Sequence, residues 1–366
     1  MNKNGLFFYT LAIQISQMKK SILLLLSLSL LSCKKEGSKN YKASFKTVTV
    51  DTLLTDEISI RGLTIDGDKA WYAGNNGKYG WVSLNGGKNF NGVAVQDTLM
   101  PEFRAIAQTN SDIFILNVGS PALLYKVSKD GKQSKIVYTE TGEKVFYDSM
   151  KFRNDKEGIA IGDPVDGCLS VIITSNGGDT WTKIPCSQLP SLADGEAAFA
   201  ASNTNVIVKG KKTWIVSGGK KSRVFFTASV KDKFEVYDTP IVQGKEMTGM
   251  FSVDFYDDEI GFAIGGDYEK PEMNSDNKIF TEDGGKTWKK VGQSKGFGYG
   301  SCVQFIPESN GDELVTAGAS GIYYSFDRGE NWKQISTDKT IHTLRFLNNK
   351  TIIAAGQNKI IRLQLQ

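Results

Sequence analysis

Short apolar runs that end in glycine recur along this chain, at residues 71–74, 115–119, 159–162, 214–218, 262–265, 315–318 and 353–356. Between them, stretches such as Met150-Lys-Phe-Arg and Val253-Asp-Phe-Tyr alternate apolar and polar residues, the period of a half-buried strand. No long amphipathic helical pattern interrupts the series. The pattern predicts an all-β protein made of repeated strand units rather than a string of unrelated domains.

A second repeat falls in the gaps between the glycines. Ser83-Leu-Asn-Gly-Gly-Lys-Asn-Phe90, Thr174-Ser-Asn-Gly-Gly-Asp-Thr-Trp181, Thr281-Glu-Asp-Gly-Gly-Lys-Thr-Trp288 and Ser325-Phe-Asp-Arg-Gly-Glu-Asn-Trp332 superpose without gaps. Weaker copies begin at Ser128 and Thr227, so successive starts lie 45, 46, 53, 54 and 44 residues apart, the length of a four-stranded propeller blade. The residue types suit a tight hairpin. Glycine accepts positive φ, Asp or Asn folds its side chain onto nearby amides, and the closing aromatic packs between adjoining blades. Asn85, Asp130, Asn176, Asp283 and Asp327, with Trp181, Trp288 and Trp332, are read as structural residues of these hairpins.

This motif resembles the Asp-box, or bacterial neuraminidase repeat. The fuller unit is Ser252-Val-Asp-Phe-Tyr, then Gly261-Phe-Ala-Ile-Gly265, then Thr281 to Trp288. It is similar to the propellers related to the photosystem II assembly and stability factor, and residues 150–184 match next best. The resemblance extends over the chain after Tyr41 and implies a non-catalytic scaffolding or assembly propeller; relatives in non-photosynthetic bacteria are often lipoproteins. Seven glycine-ended strands imply a single seven-bladed β-propeller over residues 44–366. The last unit lacks an outer strand, and residues 45–52 are unassigned, so the N-terminal segment is expected to close the last blade and remove exposed edges.

The N-terminus follows another logic. Lys19 and Lys20 precede an apolar run over residues 21–32 that ends at Cys33. The run is shorter than the roughly 20 residues of a spanning helix and has the order of an export signal. Leu30-Leu-Ser-Cys33 resembles a lipobox. Residues 1–32 are therefore expected to be a signal peptide, with Met18 an alternative start, Cys33 the lipidated residue, and residues 33–43 a polar tether. Removing residues 1–32 takes away Lys3, Lys19 and Lys20 and no acid, so the net charge falls from +4 to +1. No nucleic-acid footprint remains. The expectation is an exported monomer held at the cell envelope by a lipid anchor alone, with a protein or glycan partner there.

Binding is expected on the face opposite the hairpins, around the central channel, where loops ride on a rigid scaffold. Two loops after the glycines are long, and they carry Asp163 and Asp166, and Asp267, Tyr268 and Glu269. The innermost strands add Arg61, Arg104, Arg153, Asp254 and Arg345, and the loop leading into the fourth unit adds Glu196. No catalytic residue, cofactor or metal site is assigned. Gly296-Phe-Gly-Tyr-Gly300 is not a dinucleotide fingerprint, and His342, the single histidine, is read as a strand residue. The alternative function is a carbohydrate-active, sialidase- or glycosidase-like propeller. It requires two carboxylates, or a tyrosine and glutamate pair, over the channel. Cys168 and Cys186 flank one hairpin almost symmetrically. They could face one another in a disulfide, but one residue of register would part them.

Overall fold

A computed structural model describes residues 41–229 and 232–366. The compact unit Lys42–Gln366 contains every described strand. The expected signal segment, Met18, Cys33 and the tether as far as residue 40 lie outside the described residues.

Apart from one 3-10 turn at Cys186–Gln188, the described elements are strands. They pair antiparallel into a propeller of six sheets, four with four strands and two with six. The glycine count predicts seven blades, and the hydrogen bonding corrects this to six. The cause is the strand Val48–Asp66, which runs unbroken for 19 residues. Its first part pairs with Thr351–Leu365, from Val48↔Leu365 to Ser59↔Gln357, and its second part pairs with Lys69–Gly74, from Ile60↔Gly74 to Asp66↔Lys69. The last and first repeats are therefore one continuous sheet, a consequence that a count of repeats does not carry. The other six-stranded sheet arises because Glu196–Ala197 and Gly218–Gly219 are stitched onto Thr248–Phe255 through Gly218↔Gly249.

The box hairpins show why their residue types recur. Thr281 Oγ1 donates to Asp283 Oδ1 (2.8 Å) and accepts from the Gly285 amide (3.1 Å), while Asp283 Oδ1 also accepts from the Thr287 amide (2.9 Å). Trp288 Nε1 returns to the Gly285 carbonyl at 2.9 Å. The same bonds recur at Ser325, Asp327, Gly329, Asn331 and Trp332. Three residues thereby satisfy the polar backbone of a tight turn, and the tryptophan is left to pack outward. Trp332 meets Phe262 of the preceding sheet edge to face, with ring centroids 5.9 Å apart, a geometry that adds about 1 kcal/mol to the burial itself.

Gly329 shows the constraint most sharply. It sits at φ 84°, and a Cβ there would lie 2.4 Å from the Phe262 ring. Gly329→Ala is expected to destabilise the protein by about 2 kcal/mol, through left-handed strain and the clash together. Urea unfolding of the two proteins would show this as a lower midpoint at unchanged slope, and equal midpoints would refute it.

Candidate functional site

The channel is lined by the free edges of the innermost strands, whose backbone groups point inward and need partners. One segment of the chain supplies many of them. Residues 198–205 cross the channel and are almost wholly buried. Asn203 donates to the Ile106 carbonyl (2.7 Å) and accepts from the Met150 amide (2.9 Å). Ser202 Oγ donates to the Ser301 carbonyl (2.5 Å), and the Ser202 carbonyl accepts from Thr343 Oγ1 and Arg345 Nη2, both at 3.1 Å. The Thr204 carbonyl accepts from the Val253 amide (3.0 Å). Five inner strands are thus tied together by three consecutive residues.

Three inner-strand side chains meet this plug directly: Ser149 Oγ donates to Asn203 Oδ1 (3.2 Å), Ser252 Oγ accepts from Thr204 Oγ1 (2.7 Å), and Thr343 Oγ1 donates to the Ser202 carbonyl (3.1 Å). Gly62, Ala105, Ser149, Ser252, Cys302 and Thr343 occupy equivalent register positions, and all are small and buried. Immediately before each lies a bulged residue: Arg61, Arg104, Asp148, Phe251, Ser301 and His342. Bulges re-aim side chains, and here they gather one set of residues at one level of the ring, at the end opposite the box hairpins.

That level is the mouth. A cavity of about 320 Å³ opens there, lined by Arg61, Tyr268, Tyr299, Ser301, Lys339 and His342 among others. Phe199 of the plug stacks on Phe251 at 3.9 Å, Phe251 meets Tyr299 edge to face at 4.8 Å, and Tyr268 meets Tyr299 at 5.1 Å. Arg61 Nη1 donates to the Ala201 carbonyl (2.9 Å). Burial, and then the charge of Arg104, lower the Arg61 pKa. Burial, followed by Arg61 and Arg104, pushes His342 down to about 4, so it is neutral at physiological pH. The mouth is an aromatic pocket with cationic walls.

Beside it lies an unusual carboxyl pair. Asp148 is fully buried, and neither of its oxygens has a hydrogen-bond partner among the described residues. Burial, then the charge of Asp163, push its pKa well up, against the pull of Arg104. Asp163 accepts from the Ala198 amide (3.1 Å), where the plug begins, and burial raises its pKa to about 6. Two carboxyls so placed cannot both ionise cheaply.

The other expected site residues are dispersed. Arg104 pairs with Glu102 at 2.6 Å. Asp166 lies in an exposed turn at φ 58°. Glu196, expected on a binding loop, is instead buried in a short strand, with its carboxylate held by Arg223 and Ser217. Asp267 is buried and accepts from the Glu269 and Lys270 amides, which leaves Tyr268 and Glu269 exposed. Arg345 bonds to the plug from the side away from the mouth and cannot contribute to that face. Cys168 and Cys186 are joined in a disulfide, with Cα atoms 5.6 Å apart. Cys186 begins the 3-10 turn rather than lying on a paired strand. Cys302 is a free, buried thiol.

Sequence reasoning missed the plug, Asp148, Tyr299 and the role of His342. One signal was present: the interval from Thr174 to Thr227 is 53 residues, against 44 to 46 for the compact units. That surplus is about the length of the plug.

A carboxyl whose folded-state pKa lies above its unfolded value holds more protons folded than unfolded. Its stabilisation is present at low pH and is lost as pH rises, here from about 4 through 6 and beyond. Asp148→Asn is therefore expected to raise the melting temperature by several degrees at pH 8 and to change it little at pH 4.5. An equal shift at both pH values would remove the assignment.

Comparison with known proteins bears on the fold. The BNR/Asp-box repeat family matches residues 323–334. No curated protein matches the sequence. Among solved structures, one described as YCF48 bound to D1 peptide superposes with a TM-score of 0.62 at 13% identity, covering 89% of this chain and 99% of that one. The WD40 repeats of RRP9 give 0.62 at 12% identity, over 90% and 99%. A GH74 enzyme from Niastella koreensis gives 0.58 at 13% identity, over 85% of this chain and 53% of that one. At these identities the likeness establishes a propeller carrying an Asp-box repeat.

Proposed function

We propose that this protein is a non-enzymatic lipoprotein of the cell envelope that binds a segment of a protein partner in the mouth of its propeller. The mouth pocket carries the proposal. It joins the exposed, hydrogen-bonding ring of Tyr268 to the cations Arg61 and Lys339, with a neutral His342 lining the same cavity, on a scaffold locked by the plug. Aromatic residues and arginines are the usual anchors of a binding site. The charge favours an acidic segment. That a propeller of the same fold, YCF48, has been solved with a D1 peptide supports the reading. The buried Asp148 and Asp163 pair does not favour a glycan-directed activity, because Asp148 is sealed from solvent, so the protein-partner reading is preferred.

Crosslinking in native envelope membranes tests this, with the full-length protein and its Tyr268→Ala and Lys339→Glu variants. Capture of a discrete partner should fall at least tenfold in both variants at unchanged melting temperature. An unchanged partner set would place binding elsewhere. The anchor is tested separately. Metabolic labelling with a palmitate analogue should mark the wild-type protein and not Cys33→Ser, which should leave the membrane fraction. Labelling that survives the substitution would exclude Cys33 as the acylated residue.

A further inference from the structure

The N-terminal segment joins the propeller on its box side. Ser44 Oγ donates to Glu313 (2.7 Å), and the Ser44 amide donates to Tyr324 Oη (3.3 Å). Phe45 packs on Tyr324 with ring centroids 4.3 Å apart, and the Lys46 amide donates to the Gln366 carbonyl (2.7 Å). Tyr324 directly precedes the box residue Ser325, and Leu314, which follows Glu313, pairs with Ser325. The other end of the same strand, Gly318, lines the mouth cavity. Entry and mouth thus lie at opposite ends of Leu314–Gly318, about 15 Å apart along the strand alone.

The entry corner is cationic. A cavity of about 160 Å³ there is lined by Ser44, Phe45, Pro307, Glu308, Asn349 and Lys350 among others. Lys42, Lys46 and Lys350 are exposed around it. Of the two acids that line it, Glu313 is buried and held by Ser44 and Tyr324, and Glu308 accepts from Asn349 Nδ2 (2.6 Å). The sequence carries the same charge back toward Cys33, with five lysines and one acid, Glu36, in residues 34–46.

We propose that this corner of the box face rests on the anionic headgroups of the bilayer that holds Cys33, so that the mouth faces away from that bilayer. The inference depends on the lipid anchor proposed above, and it adds to the mouth reading the side from which a partner arrives. Chain length and charge act together. Cys33 lies 11 residues before Ser44, a span of at most about 40 Å. Laying the mouth on the bilayer would draw that span along the full height of a blade and lift the lysines from the headgroups. Setting the entry corner down leaves the span unstretched and keeps the lysines within a Debye length of the anionic surface. A partner segment then reaches the mouth from the aqueous compartment, clear of the membrane that carries the propeller.

Fluorescence quenching tests this on the full-length acylated protein in vesicles of phosphatidylcholine and phosphatidylglycerol that carry a nitroxide on the lipid headgroup. The fluorophore is placed on Glu330→Cys, in the box hairpin that follows Tyr324, or on Glu269→Cys, beside the mouth residue Tyr268. Acylation of each sample is checked with the palmitate analogue. Quenching at position 330 should exceed that at position 269 at least threefold. Equal quenching, or more at position 269, in an acylated protein would overturn the orientation and leave the anchor standing. A protein that takes up no palmitate analogue would remove both. Lys42→Glu combined with Lys46→Glu, acylated alike, should at least halve the difference between the two positions, and added salt should narrow it for the unsubstituted lysines in the same way. A difference that neither change narrows would overturn the contact between the lysines and the headgroups.

Discussion

The structure depends on how the free inner edges of its sheets are satisfied. A ring of sheets places several rows of unpaired amides and carbonyls around one channel, out of reach of ladder bonding. Here the chain answers with itself. Ser202, Asn203 and Thr204 bond to the inner edges at Ile106, Met150, Val253, Ser301 and Thr343. Asp254 and Gln304 cap the neighbouring strands at Phe305 and Phe346. Asn203 is suited to the crossing because its amide donates and accepts at once, and because asparagine tolerates the left-handed φ of 59° found there.

This one solution organises the rest. Ser149, Ser252 and Thr343 are short polar residues that bond to the plug directly. The bulges just before these and the other small residues of the ring turn Arg61, Asp148, Phe251 and His342 toward the mouth, so the same local irregularity that seats the plug builds the pocket above it. The plug also spans the channel beneath the aromatic, cationic mouth. Asp163 joins the two themes, since it holds the first residue of the plug while sharing a buried environment with Asp148.

The periphery is held by different means. The box hairpins at Thr174 and Ser325 send their tryptophans into the seam with the preceding sheet, Trp181 against Phe114 and Trp332 against Phe262. The disulfide from Cys168 to Cys186 ties a turn back to the edge of its own sheet, where the outer strand Thr182–Lys183 is only two residues long. At the chain ends, Ser44 Oγ donates to Glu313 at 2.7 Å, and Phe45 packs on Tyr324. This fastens the start of Val48–Asp66 beside the last strand.

What the sequence determined by itself was local. The box hairpins, the glycine-ended strands and the all-β character follow from turn chemistry and side-chain alternation that act within about ten residues, and they are legible wherever they repeat. The tertiary structure decided what depends on distance. Val48–Asp66 merges the last and first repeats because it bonds on both sides, which makes six sheets from a pattern that reads as seven. Asn203 reaches Ile106 across 97 residues, and Thr343 reaches Ser202 across 141. Contacts of that span leave no periodic trace in the chain, so the plug and the mouth appear only when the ring is closed.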